Sequence, residues 1–430
     1  MRRRTFLHGL VAAAPPFAFA QNGAAPRFPQ LSEVQVGGCS FRLAKLPSTL
    51  DHDPDSGLVF PHGLHAQIIH SKPAPNDWCG EARATKTPAG DYVLMFTAGK
   101  GHYGGRKEKV NDMVAYRSHD QGRTWTGPVV AWDIPYNQHG FVPLTPRGGT
   151  RMYAFGTEPF FDRIEDRENA PIGFRTSDDD GKTWSPVTLI RPQNDPDYLG
   201  MFVMRACETD RGTWLLAPHS GMSRNPRHTK LYVLRSDDRG STWTLLPGAR
   251  PNGWTEPRFE RMEEGRPVSL GGGDVLLFTR TAEGHLWRLR SHDDGRTWSA
   301  PEPTPLIHPL APPMVFRLSD SKTLAAFHHN RYTGGETNSP AGIDRSELWV
   351  SLSHDQGTSW SEPRFVIANS NQPYGPGAFA YSVSYIDAIA DRGTLHVFIS
   401  HQFRQVIHVS LAESLLPKLP ARRDLQRMAA

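Results

Sequence analysis

The sequence has few cysteines and none of the usual metal-binding motifs. Its three cysteines, Cys39, Cys79 and Cys207, are too few for a disulfide framework and allow at most one bridge. Neither Cys-x-x-Cys nor His-Glu-x-x-His occurs, and the 19 histidines show no ligand spacing. We therefore expect no metal or cofactor and interpret the histidines as structural.

Long runs of like charge and long apolar runs are also missing. The formal net charge is +4 over 430 residues, with lysine and arginine dispersed along the chain. This distribution argues against nucleic acid or an anionic membrane as a partner. After residue 20 no apolar run approaches the ~18 residues of a spanning helix. We expect a soluble monomer without a membrane span.

The first twenty residues, MRRRTFLHGLVAAAPPFAFA, have the composition of a cleaved export signal. A basic start precedes an apolar stretch and the small-residue site Ala18-Phe19-Ala20. The arginines followed by Thr-Phe-Leu resemble the twin-arginine type, and an ordinary Sec signal is the alternative. We expect cleavage near Ala20 and a periplasmic or secreted protein.

One nine-residue phrase recurs five times. The copies are RSHDQGRTW (117–125), TSDDDGKTW (176–184), RSDDRGSTW (235–243), RSHDDGRTW (290–298) and LSHDQGTSW (352–360). Their serines are separated by 59, 59, 55 and 62 residues. Asp and Gly in the middle suit a tight turn, and the final Trp provides a large apolar anchor. A turn that stabilises itself in this way does not need to touch a ligand.

The period matches a propeller blade of four strands. Short apolar runs such as YVLMFT and LHVFIS recur once per period between Gly, Asp and Pro. Residues 374–410 form a further strand-rich unit without the phrase, and residues 33–69 are expected to add the strand that closes the ring. The sequence therefore predicts an all-β, six-bladed propeller of four-stranded antiparallel blades over residues 30–415. Residues 416–430 form a C-terminal tail, either a short helix or disordered.

The pattern Ser-x-Asp-x-Gly-x-Thr-Trp resembles the Asp box of the sialidase (neuraminidase) superfamily. This resemblance implies an exported exo-sialidase that acts on sialylated glycans or related acidic sugars. A sialic acid carries a carboxylate on its anomeric carbon, which arginine guanidinium groups bind bidentately. That carboxylate would repel an acidic nucleophile, and the family instead uses a Tyr activated by a Glu.

Three arginines and a glutamate match the family's site by motif. Arg83 in EARATKTPAGDYVLMFTAGK is similar to the first arginine, although the usual Ile-Pro after it is absent. In EEGRPVSLGGGDVLLFTRTAEG, Glu264 corresponds to the base and Arg280 to the second arginine, with Glu263 as the alternative base. Arg345 in DRSELWVSLSHDQG corresponds to the third arginine.

The nucleophile and the general acid are less well defined. In GAFAYSVSYIDAIADRGTLHVFIS, Tyr381 is followed by Ser, as in the family, and is the predicted nucleophile. Tyr385 is the competitor, deeper in the strand and without that Ser. The acid should lie between Arg83 and the first phrase, where Glu108 and Asp112 are the candidates. Two alternatives stay open, namely a glycosidase for another acidic sugar and a carbohydrate-binding propeller without catalysis.

Overall fold

The structure, a computed structural model, describes residues 28–72, 78–99, 109–135, 140–157, 169–222, 228–331, 344–373 and 382–429. These residues form strands arranged as six antiparallel blades in a ring. The predicted six-bladed propeller is confirmed. The expected leader, residues 1–20, lies outside the described residues.

Blades 1 to 3 follow one another along the chain, and each is numbered here from its innermost strand outward. Blade 1 consists of Arg83–Lys86, Tyr92–Gly99, Lys109–Ser118 and Thr126–Pro135, with Trp78–Cys79 added beside the second strand. Blade 2 consists of Val142–Leu144, Met152–Thr157, Ile172–Ser177 and Thr188–Leu189. Blade 3 consists of Cys207–Glu208, Trp214–Leu216, Val233–Ser236 and Thr244–Leu246, and a hairpin of His219–Met222 and His228–Leu231 follows its second strand.

Blades 4 to 6 are longer, and two of them include strands from the start of the chain. Blade 4 consists of Met262–Gly271, Asp274–Thr281, His285–Ser291 and Glu302–Ile307. Blade 5 consists of Met314–Arg317, Leu324–His328, Glu347–Ser353 and Arg364–Asn369, extended by Leu58–Pro61 and Leu50–Asp53. Blade 6 consists of Val383–Asp391, Thr394–His401, Gln405–Ala412 and His65–Ser71.

The ring closes through blade 6, whose outermost strand, His65–Ser71, comes from before blade 1. This is the closing strand that the sequence predicted. The innermost strands of blades 6 and 1 also meet, because the Ala84 amide donates to the Asp387 carboxylate at 2.9 Å. Apolar side chains fill the space between neighbouring blades. Closure joins residues that are more than 300 positions apart.

The two ends of the described chain pack on blade 5. A hairpin, Glu33–Val36 and Cys39–Arg42, lies beside it. The C-terminal part contains a 3-10 helix, Glu413–Lys418, and an α-helix, Arg422–Ala429, whose Leu425 side chain is fully buried. None of the three cysteines forms a disulfide. No helix in the described parts of the chain is long and apolar enough to cross a membrane.

The repeated phrases form turns between the third and fourth strands of blades 1 to 5. In the fourth copy, Ser291 Oγ donates to Asp293 at 2.8 Å and accepts the Gly295 amide at 2.9 Å. The same carboxylate accepts the Thr297 amide at 2.8 Å, and Trp298 Nε1 donates to the Gly295 carbonyl at 3.0 Å. Gly295 has a φ of +78°, which a side chain at this position would strain. The turn satisfies its polar groups internally, as predicted.

These turns also define the two faces of the propeller. They follow the end of each third strand, so they lie on the face where first strands end. Residues at the beginning of a first strand, or at the end of a second strand, lie on the opposite face because the strands alternate in direction. Arg83, Glu264 and Arg280 all occupy such positions. The predicted site residues are therefore on the face away from the Asp boxes.

Candidate active site

Tyr385 lies near the start of the innermost strand of blade 6 and contacts two site residues of blade 4. Its hydroxyl donates to Glu264 Oε1 at 3.2 Å and accepts from Arg280 Nη1 at 3.3 Å. Arg280 Nη1 is also 2.9 Å from both carboxylate oxygens of Glu264. The phenol, the carboxylate and the guanidinium therefore form a closed triangle of contacts, which is the arrangement a base-activated nucleophile requires.

A second carboxylate holds Arg280 in place. Glu263 lies 2.8 Å from Arg280 and 2.9 Å from Arg261, and all three side chains are buried. Burial disfavours the charge on Arg280, but Glu264 and Glu263 together raise its pKa above the ordinary arginine value. Glu263, the alternative base in the sequence, thus serves as the ion-pair partner of two arginines, while Glu264 faces the tyrosine.

Arg345 approaches Tyr385 from blade 5. Its guanidinium carbon lies 5.4 Å from the centre of the Tyr385 ring, and its Nη2 donates to the Leu310 carbonyl at 2.6 Å. Burial lowers the pKa of Arg345; Tyr385 counteracts this and the nearby charge of Arg280 adds to it. Arg345 places a second guanidinium group beside the phenol.

Arg83 approaches from blade 1. Its Nη1 donates to the Tyr385 carbonyl at 3.3 Å and to the Ala82 carbonyl at 3.0 Å. Glu81 lies 3.9 Å from the same guanidinium. Three predicted arginines, from blades 1, 4 and 5, therefore converge on one residue of blade 6.

The surroundings of Tyr385 keep its phenol protonated at rest. Burial, followed by the charge of Glu264, raises the pKa of Tyr385, and Arg280 and Arg345 oppose that rise, with a net pKa of about 12. A phenol with this pKa reacts as a nucleophile only when a base accepts its proton during attack. Glu264 is in contact with that proton.

Apolar side chains also pack against Tyr385. Phe403 lies 5.4 Å from its ring and stacks on Trp78 at 4.2 Å. Phe202 packs edge-on at 6.3 Å, and Met204 Sδ lies 3.6 Å from Arg83 Nη2. This packing lowers the local dielectric constant and strengthens the charge interactions at the centre.

The other predicted catalytic residues are placed less completely. Tyr381 and Glu108 lie outside the described residues. Asp112 is half-buried in the third strand of blade 1, paired with Ala98 of the second strand, at the same end of the blade as Arg83. Asp112 therefore lies on the same face of the propeller as Arg83, two strands farther from the central axis.

The sequence also left a charged cluster unassigned, in which Arg266 and Asp387 are buried and Arg205 is partly exposed. Arg205, Arg266 and Asp387, from blades 3, 4 and 6, meet in the centre of the ring. A signal was present for Asp387, which is a charged residue inside the mostly apolar strand VSYIDAIAD. The contact between Asp387 and the two arginines depends on the closure of the ring and has no local trace in the sequence.

Comparison with known families agrees with this architecture. The BNR repeat-like domain matches residues 102–397, which is more than half of the chain. The chain belongs to this family. The match covers all five Asp boxes and confirms the resemblance noted from the repeated phrase.

Solved structures similar to this BNR repeat-like chain share its fold at low sequence identity. A protein of unknown function from Dyadobacter fermentans DSM 18053 has a TM-score of 0.60 and 18% identity, over 81% of this chain and 98% of that one. The NanB sialidase from Streptococcus pneumoniae has a TM-score of 0.59 and 13% identity, over 81% and 71%. An alpha-L-arabinanase from Penicillium chrysogenum has a TM-score of 0.55 and 15% identity, over 83% and 100%.

Proposed function

We propose that this protein is an exported glycoside hydrolase that releases a terminal acidic sugar, with a sialic acid as the first candidate. The observation that carries the proposal is the position of the Tyr385 hydroxyl between Glu264 and Arg280, with Arg83 and Arg345 beside it. A sialidase and an arabinanase among the similar structures support a sugar as the substrate class.

The chemistry follows from these contacts. Tyr385 Oη attacks the anomeric carbon while its proton passes to Glu264, and the bond to the leaving oxygen breaks. Cations near the tyrosine favour both the developing phenolate and a substrate carboxylate. An acid, Asp112 or Glu108, protonates the leaving oxygen. Water then attacks the anomeric carbon and gives a proton to the carboxylate that served as the acid, while Glu264 returns its proton to the departing Tyr385 oxygen, so the configuration is retained.

The nucleophile is therefore assigned to Tyr385 in place of Tyr381. The sequence favoured Tyr381 because Ser follows it. Tyr385 is the tyrosine that contacts Glu264 among the residues the structure describes.

A fluorogenic sialoside tests the proposal. Wild-type protein should release free sialic acid, with the α-anomer formed first as seen by NMR, and Tyr385→Phe should lose roughly a thousandfold or more in kcat. Tyr198→Phe is the matched control, because Tyr198 is a buried tyrosine away from the centre. Wild-type turnover by Tyr385→Phe together with loss in Tyr381→Phe would return the assignment to Tyr381.

Another acidic sugar is the second candidate. Phe202 and Met204 contact Arg83 and reduce the space beside that guanidinium for a nine-carbon sugar. A thermal-shift screen of sialic, other nonulosonic and uronic acids separates the candidates, since a ligand at a hundred times its Kd stabilises by ~2.7 kcal/mol. Binding without release of product from any glycoside would leave a carbohydrate-binding propeller and reject the hydrolase.

A further inference from the structure

Glu264 occupies a bulge in the innermost strand of blade 4. Glu263 pairs with Arg280 and Arg266 pairs with Phe278, so two residues of the first strand face one residue of the second. Glu264, the first of the two, has a φ of +53°. The bulge turns the Glu264 carboxylate out of the regular alternation of the strand and toward the centre of the ring.

Tyr385 occupies an equivalent bulge in blade 6. Ser384 pairs with Ser400 and Asp387 pairs with Phe398, again with two residues facing one. Tyr385 has a φ of +52°, nearly the value at Glu264. The base and the nucleophile thus sit at the same position of the same irregularity in two different blades.

These bulges need external support. A residue other than glycine in this left-handed region is strained and persists only where its surroundings hold it. In blade 4, Thr279 Oγ1 donates to the Glu263 carbonyl at 2.7 Å. In blade 6, Arg266 Nη2 donates to the Ile386 carbonyl at 3.4 Å, so a side chain of blade 4 supports the bulge of blade 6.

The residues that directly follow the two bulges, Arg266 in blade 4 and Asp387 in blade 6, form an ion pair across the ring. Arg266 Nη2 lies 3.4 Å from Asp387 Oδ1, and both side chains are buried. Arg205 donates to the same Asp387 oxygen, and the Arg266 guanidinium lies 4.5 Å from the Phe316 ring. The other Asp387 oxygen accepts the Ala84 amide. The ion pair is therefore fixed by blades 1, 3 and 5 as well.

We propose that the Arg266–Asp387 ion pair is a positioning device that ties the two bulges together and so sets the contact between Glu264 and Tyr385. Neither residue is assigned a contact with substrate. This inference rests on the proposed function for its kinetic readout, but the geometry that it concerns can be measured without catalysis.

The test combines kinetics with a probe on Tyr385. Asp387→Asn and Arg266→Met should each lower kcat roughly a hundredfold with little change in KM, as expected for a small misplacement of reacting groups. The kcat of the double variant should be no lower than that of the less active single variant, because the two residues act as one unit. Arg266→Lys should recover part of the loss. With 3-fluorotyrosine placed at position 385, Asp387→Asn should shift or split the ¹⁹F resonance.

Asp195→Asn is the matched control, since it disrupts an Arg–Asp pair of 2.9 Å with Arg250 at the rim of blade 3. It should leave both kcat and the ¹⁹F resonance as in wild type. A folded Asp387→Asn variant with wild-type kcat and an unchanged ¹⁹F resonance would overturn the proposal that the ion pair couples the two bulges. Additive losses of kcat in the double variant would overturn it as well. Should Asp387→Asn fail to fold, Arg266→Lys and Arg266→Met carry the same comparison. A wild-type protein without hydrolase activity would reject the proposed function, while the resonance would still test the tie.

Discussion

The Asp boxes and the centre of the ring use charged and polar groups in opposite ways. In a box the carboxylate bonds to groups within five residues of itself, so each turn is complete within its own blade. At the centre, Tyr385 contacts side chains from blades 1, 4 and 5, and no single blade completes the site. The repeated element therefore stabilises single blades, whereas the candidate site depends on how different blades meet.

The largest expected difference between the centre of the ring and the Asp boxes comes from removing the proposed general base, Glu264. Glu264→Gln keeps the size of the side chain but removes its ability to accept the Tyr385 proton, so kcat should fall by ~100 to 10,000-fold. Steady-state kinetics measure this, and circular dichroism shows whether the blades are intact. An unchanged kcat would mean that another group accepts the proton.

The next largest effect is expected from adding a methyl group at the tightly packed bulge of blade 4. A methyl group on Gly265 would lie 2.6 Å from Ala217 Cβ and 3.0 Å from its carbonyl oxygen. Gly265→Ala should therefore lower the free energy of unfolding by about 1 to 3 kcal/mol and lower kcat by displacing Glu264. Gly248→Ala is the control, because a methyl group there has no neighbour closer than 3.8 Å and the backbone is not in the left-handed region. If Gly248→Ala cost as much as Gly265→Ala, crowding at the bulge would not be the cause.

A substitution in an Asp box should lower stability without lowering turnover. Asp293→Asn weakens bonds to Ser291 and Thr297 and should lower the free energy of unfolding by about 1 kcal/mol. Turnover per folded molecule should stay at the wild-type value, because the box lies on the face opposite the site. Urea denaturation and kinetics on the same samples test both parts, and a selective loss of kcat would contradict the separation of the faces.

The smallest expected effect is a pH dependence at the boxes. Burial opposes the Asp293 charge, but hydrogen bonds from Thr297 and Ser291 outweigh it and lower its pKa to about 2 from the ordinary 3.8. A lowered folded-state pKa adds stability above the unfolded value, which is lost as pH falls from about 4 through about 2. Asp293→Asn should flatten this part of the stability profile, measured by denaturation at several pH values. A profile as steep as that of wild type would place the acid sensitivity elsewhere.

The sequence predicted the fold well because the information for it is local. Each Asp box contains every group that its turn uses, so five copies could be counted without knowing the ring. Arg83, Glu264, Arg280 and Arg345 could also be named as candidates, because each stands in a motif beside its own strand, and the structure brings their side chains together.

Tyr385 and the Arg266–Asp387 pair depend on information that no local motif carries. The bulge at Tyr385 is defined by pairing with the next strand, and the pair forms only when blades 4 and 6 face each other. The motif favoured Tyr381, which lies outside the described residues, because the following Ser is visible in the sequence. The proposal of Tyr385 rests on a bulge, which the sequence does not show.

Ring closure by the strand His65–Ser71 determines when during synthesis a site can exist. Ser71 pairs with Gln405, 334 residues away. A chain that has emerged only as far as residue 370 already contains all five Asp boxes but lacks Tyr385 and Asp387. Contacts this distant in sequence make folding slow, and a nascent chain can form most blades before it contains Tyr385 and Asp387. The proposed activity would therefore appear last, and its onset would report that the final blade has been joined to the first.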